Sequence, residues 1–196
     1  MALTKITAGG LGDDSVVTAS VADSQVTLAK TTGIVGDSDL HASSWRMHTG
    51  ISQPSGNATA ITSNWEEVDT HGYGRLGSAM TESSGLFTFP ATGIWRIDFS
   101  VNFIDDQNYH YWGGGIYTTT DGSAYSLAAS SFEVVYNSTG DTYSSSYVNF
   151  IFDVTATATH KCSFGLIHSI STGDTVIRAE TDQSQTWAHF TKLGNT

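Results

Sequence analysis

The sequence predicts an all-β fold, an antiparallel β-sandwich of the jelly-roll kind, preceded by an extended N-terminal arm. Three observations carry that expectation. Apolar and polar residues alternate in short segments separated by turn residues, the pattern of half-buried strands. Charged residues make up only 14% of the 196, and the helix-favouring Lys, Glu and Arg give way to Ser, Thr, Gly and Asn. No segment carries an apolar stripe at the helical period.

The chain divides by composition near residue 42. Residues 1–41 contain no aromatic residue, only isolated Leu, Ile and Val among Thr, Ala, Ser, Asp and Gly. A segment of this kind buries too little area to fold alone. Asp14-Ser15-Val16-Val17-Thr18 is echoed by Asp23-Ser24-Gln25-Val26-Thr27, and Asp37-Ser38-Asp39 is a shorter third copy. Short repeats gain stability by stacking on other copies or other subunits. The expectation is an arm ordered by contacts through Leu3, Ile6, Leu11, Val16, Val17, Val21 and Val26; a tail without structure of its own is the alternative.

From Trp45 onward the expected elements are strands of a knob spanning residues 42–196. The clearest runs from Ile94 to Phe103, with Trp95, Ile97, Phe99, Val101 and Phe103 on one face and Arg96, Asp98, Ser100 and Asn102 on the other. A second spans 148–154, with Val148, Phe150, Phe152 and Val154 inward. A third starts at Cys162 and carries Phe164 and Leu166 inward, continuing to His168 and Ile170. Further strands are expected at 45–49, 58–62, 65–69, 86–90, 109–118, 125–135, 174–180 and 186–193. Asp121-Gly122, Asn137-Ser138-Thr139-Gly140 and Thr172-Gly173-Asp174 supply turns. The expected core is Phe87, Phe89, Trp95, Ile97, Phe99, Val101, Phe150, Phe152, Phe164 and Leu166.

The segment Gly85-Leu86-Phe87-Thr88-Phe89-Pro90-Ala91-Thr92-Gly93-Ile94-Trp95 is the most specific in the chain. Phe87 and Phe89 point inward, Pro90 ends a strand, and Gly93 permits a tight reversal into the next. It resembles the Gly-x-Phe-x-x-Pro-x-x-Gly-x-aromatic turn of C1q/TNF-like jelly rolls, with Trp95 where that family usually has Tyr. Gly173-Asp174-Thr175-Val176 resembles the turn that opens the family's penultimate strand, and Trp187 to Leu193 its closing core strand. The resemblance covers about residues 43–194 and implies a homotrimer. The arm resembles something else: Met1-Ala2-Leu3-Thr4-Lys5-Ile6 and Asp14-Ser15-Val16-Val17-Thr18-Ala19 are similar to the N-termini of phage fibre and head-decoration proteins. That implies a virion protein, assembled in the host cytoplasm and carried on the particle surface. Its arm would hold it to capsid or tail proteins.

The net charge of −11 disfavours binding to phosphate backbones or anionic lipid, so neither nucleic acid nor membrane is an expected partner. The first residues lack the apolar run of a signal peptide, and no segment reaches transmembrane length. One cysteine excludes an internal disulfide.

No motif supports catalysis. Gly72-Tyr73-Gly74-Arg75-Leu76-Gly77 matches a dinucleotide-loop pattern, but a poor helix former follows it, so an inter-strand loop is expected. Gly113-Gly114-Gly115 lacks the Lys of a phosphate loop and is read as a place of close approach. The seven histidines form no metal-binding pair, and Asp105-Asp106 reads as a solvated turn. No cofactor, metal or catalytic residue is expected. Tyr109, Tyr111, Trp112 and Tyr117 form an aromatic cluster suited to a trimer interface or to stacking against a host-surface glycan. The leading expectation is thus a non-catalytic capsid-decoration or head-fibre protein. A small tail-fibre knob or adhesin that binds a host glycan is the alternative.

Overall fold

The computed structural model describes residues 40–53, 58–105, 110–135, 141–168 and 175–196. The arm residues Leu3, Ile6, Leu11, Val16, Val17, Val21 and Val26, together with Tyr109, Asp106 and Ile170, lie outside the described residues. The described chain is all β, with β1 Ala42–Met47, β2 Ile51–Gln53, β3 Ala58–Ala60, β4 Trp65–Glu67, β5 Thr81–Ser83 and β6 Leu86–Thr88. The longer strands follow: β7 Gly93–Asp105, β8 His110–Thr119, β9 Ser126–Val135, β10 Thr142–Val154 and β11 Lys161–His168. The last two are β12 Thr175–Ile177 and β13 Trp187–Gly194.

These strands form two antiparallel sheets. The first runs β2-β12-β7-β13-β1-β4, with β10 on the other side of β7. The second runs β5-β6-β11-β8-β9, with β3 also pairing β11. β10 lies against β7 along its whole length, from Thr142 opposite Asp105 to Val154 opposite Gly93. The expected strand at 148–154 is only the C-terminal half of this element. Its first half, Thr142–Ser146, lacks an apolar alternation because Ser144 and Ser146 take positions of the inward set. Ser146 is buried there: its Oγ accepts from the Gly114 N–H at 3.2 Å and donates to the Ser131 carbonyl at 2.9 Å. That hydroxyl ties the edge of the first sheet to the second.

The core lies between the sheets and is mostly aromatic. Phe99 of the first sheet stacks on Phe164 of the second, with centroids 4.6 Å apart. Phe87 meets Trp45, Trp65, Phe164 and Phe190, all within 5.5 Å between centroids. Close approach of the sheets is possible where Gly114 faces inward, because a Cβ there would already touch the Phe99 ring at 3.0 Å. Phe87, Phe89, Trp95, Ile97, Phe99, Val101, Phe152, Phe164 and Leu166 are all buried. Phe150 faces inward but is only half-buried, since β10 is an edge strand.

The Phe87–Trp95 segment is the corner where the chain leaves the second sheet for the first. Phe89 packs on Trp95 at 5.2 Å, and the Trp95 indole N–H donates to the Ala91 carbonyl at 3.1 Å. Gly93 has φ +141°, and a Cβ there would lie 2.4 Å from the Gly194 carbonyl oxygen. Only glycine satisfies both constraints. Two short strands, β2 and β5, have no counterpart among the sequence expectations. Each has three residues, too few to establish a period.

Candidate subunit interface

Among the described residues, β9 and β10 each pair with a single neighbour, β8 and β7 respectively. They are therefore the edges of their sheets on the same side of the sandwich, and the Ser146 to Ser131 hydrogen bond joins them. Long edge strands present unpaired backbone groups and normally carry a protective device such as Lys, Pro or a covering element. Neither strand contains a lysine or a proline. Both carry apolar side chains outward instead.

Outside the second sheet, register places Tyr111 opposite Val134 and Gly113 opposite Phe132. Val134 is 76% exposed, Phe132 and Tyr111 roughly half so, and the Tyr111 and Phe132 rings meet edge to face at 5.4 Å. Around the edge, on the outside of the first sheet, stand Tyr143, Tyr147 and Ile151, all exposed. The Arg178 guanidinium lies over the Tyr143 ring at 5.0 Å. Trp187 stacks on His189 at 4.1 Å and approaches Tyr147 at 6.2 Å.

Polar groups sit inside this aromatic surround. Register aligns Ser44, His189, Asp98 and Asn149 in one row across β1, β13, β7 and β10. Asp98 is nearly buried. It accepts from the Tyr147 hydroxyl and takes two nitrogens of Arg96, at 2.8 to 3.0 Å. Arg96 also donates to the Tyr147 hydroxyl oxygen at 3.1 Å. Burial holds the His189 imidazole below its ordinary pKa, and the Asp98 charge opposes that shift. A surface of Tyr, Trp, Ile and Arg around a satisfied charge is the composition of a subunit contact more than of a solvated face.

Farther along the same sheet, Arg46 is buried. It binds Glu66 and Asp69 at 2.7 Å each and the Thr70 hydroxyl at 2.8 Å. This cluster secures the chain from β4 into the following loop. The Gly72–Gly77 segment is that loop. Tyr73 accepts from the Ser44 N–H at 2.9 Å, and Leu76 bridges Ala42. His41 accepts from the Ser78 N–H at 3.0 Å through Nδ1, so the knob's contacts begin just before β1.

The expected aromatic cluster is divided by strand alternation. Trp112 faces inward and is completely buried, stacked on His168 at 4.6 Å. It cannot contact a glycan or a second subunit, and that expectation is corrected. Tyr111 and Tyr117 face outward but lie six residues apart along β8. Sequence reading overlooked Phe132, Val134, Tyr143, Tyr147, Ile151 and Trp187 as surface residues. The signal was present on β10: Tyr147 and Ile151 alternate with Val148 and Phe152, so the strand is apolar on both faces. A strand exposed on one side has no need of that.

Among the described residues, no three His, Cys, Asp or Glu side chains gather into a metal-holding group. Cys162 is fully buried, and burial pushes its thiol well above its ordinary pKa, which keeps it protonated.

These two sheets, this corner and this strand order define a TNF-like jelly roll. No protein-family model matches the chain, and no curated protein matches it. Solved structures do. Murine APRIL at pH 5.0 is similar over 79% of this chain and 99% of its own, with a TM-score of 0.55 at 12% identity. Eiger TNF from S. frugiperda is similar over 80% of this chain and 94% of its own, with a TM-score of 0.58 at 12% identity.

Proposed function

We propose that this chain is a non-catalytic structural protein of a bacteriophage particle, a homotrimer whose N-terminal arm docks it to other virion proteins as a capsid decoration or head fibre. The observation that carries the trimer is the β9–β10 edge. Tyr111, Phe132 and Val134 lie on one side of it, and Tyr143, Tyr147, Ile151 and Trp187 on the other. Two unlike apolar surfaces flanking one edge suit a heterologous contact, in which the edge of one subunit enters the face of the next. Repeated by rotation, such a contact closes a ring and leaves no β9–β10 edge free. The TNF-like fold supports this arrangement.

The virion assignment rests on the resemblance of residues 1–41 to phage fibre and head-decoration N-termini. Three arms on one trimer bind with avidity, so each arm contact can be weak. A net charge of −11 per chain suits a particle exterior.

Light scattering on the full chain tests the trimer: the expected mass is three times 20.9 kDa. A monomer at micromolar concentration refutes it. Deleting residues 1–41 tests the docking role, with incorporation into particles expected to fall sharply. Normal incorporation of the shortened chain would show that the arm is not the anchor.

A further inference from the structure

The outward face of the second sheet carries a pocket at the end of β8 away from Tyr111. It is lined by Thr59, Ala60, Leu86, Tyr117, Tyr125 and Ser163, and its cavity volume is about 370 Å³. That falls within the usual small-ligand range of about 300 to 1,000 Å³. Leu86, Ser163 and Tyr117 stand side by side in register across β6, β11 and β8.

The floor of this region is built from glycines. Gly165 and Gly115 are paired on adjacent strands, next to Ser163 and Tyr117. A Cβ on Gly165 would lie 2.9 Å from Cε2 of Tyr117, and a Cβ on Gly115 would lie 3.1 Å from the same atom. The Tyr117 ring therefore lies down over both glycines instead of standing up from the sheet. Side chains at either position would lift it. A ring held flat in this way offers one broad face as a platform.

The remaining lining defines what could rest on that platform. No lining residue is charged, and Ser163, Tyr117 and Tyr125 each bring a hydroxyl to an otherwise apolar wall of Leu86, Ala60 and the rings, while the Thr59 hydroxyl turns to the other face of the sheet and meets His168 Nε2 at 3.4 Å. The Tyr125 Oη is buried and makes no hydrogen bond among the described residues. Leaving a buried hydroxyl without a partner is unfavourable, so a ligand that supplies one gains from it. A purely aliphatic occupant would not, and a charged one would find no counter-ion. An uncharged ligand with an apolar face for the ring and hydroxyls at its rim meets both requirements.

We propose that this pocket binds a neutral pyranose unit of a glycan, stacked on Tyr117 and hydrogen-bonded by the Tyr125 and Ser163 hydroxyls. The site lies within one chain, and it stands whether or not the chain trimerises or belongs to a particle. Burial raises the pKa of both tyrosines, which keeps their hydroxyls neutral donors at physiological pH.

Saturation-transfer NMR on the full chain tests it, with the methyl glycosides of glucose, galactose, mannose and N-acetylglucosamine as probes. At least one of the four is expected to receive saturation on its ring protons, with Tyr117→Ala weakening its binding tenfold or more. Tyr117→Ala also removes packing over Gly165, so Tyr125→Phe is the second variant. It keeps the ring, removes one hydroxyl, and should weaken binding about fivefold. The assignment is overturned if none of the four sugars is saturated, or if both variants bind as the parent does. It is overturned equally if p-cresol, a mimic of a tyrosine side chain, is saturated where the sugars are not, since the pocket would then take a peptide side chain.

Discussion

The interior of the sandwich and its β9–β10 edge use the same alternating pattern and reach opposite results. Inside, each apolar group finds cover within the chain: Phe99 meets Phe164, Phe87 meets four aromatic rings, and Trp112 meets His168. At the edge, Val134, Tyr143 and Ile151 have the same chemistry and remain at least half exposed. Interior residues therefore contribute to the stability of one chain. Among the described residues, nothing covers the apolar surface of the edge residues. The difference teaches that alternation reports where a side chain points, not what lies there.

That contrast can be broken most severely from the inside. Phe99→Ala should cost about 3–5 kcal/mol, because it empties a closed aromatic stack that cannot collapse. Urea unfolding would measure it, and a loss below about 1 kcal/mol would mean that the core is loosely packed there. Arg46→Met should cost about 2 kcal/mol, since Glu66 loses its partner while the exposed Asp69 can return to water. The same unfolding experiment reads it.

The edge should behave in the opposite way. Val134→Asp and Ile151→Asp are expected to change the stability of the isolated chain by less than about 0.5 kcal/mol. Each should nevertheless shift the mass seen by light scattering from trimer toward monomer. A variant that unfolds the chain but leaves the mass unchanged would reverse the comparison.

The smallest expected effect is a pH dependence carried by His189. Its pKa is lowered in the fold, so between the folded value and the ordinary value of 6.5 the unfolded chain binds more protons. Stability therefore falls as pH drops through 6.5 toward the folded value, and is fully present above 6.5. His189→Gln should flatten that part of the stability profile. An unchanged profile would show that His189 titrates alike in both states.

Much of the fold was legible because one physical signal repeats. The run from Ile94 to Phe103 announces a strand buried on one face, and β7 is that strand at the centre of the first sheet. The Phe87–Trp95 corner was legible because Pro90 ends a strand and Gly93 permits the φ of +141° that the reversal needs, both local backbone properties, whereas the approach of Gly194 to Gly93 was not. β2 and β5 were not legible, since three residues carry no period. The N-terminal half of β10 was hidden because serine replaces an apolar residue at Ser146, and its reason for being there is a hydrogen bond to Ser131 in another sheet.

The candidate surfaces follow the same division. The sequence by itself determined that residues 42–196 would fold as alternating strands, that an aromatic-free segment precedes an aromatic-rich one, and which strands alternate; the described residues are all β. Local sterics and side-chain period decide those properties. Only the tertiary structure decided that Trp112 is interior while Phe132 and Ile151 are surface, and that Tyr117 lies flat over Gly165. Those facts depend on which strands become neighbours and which become edges, and strand pairing joins residues far apart in the chain.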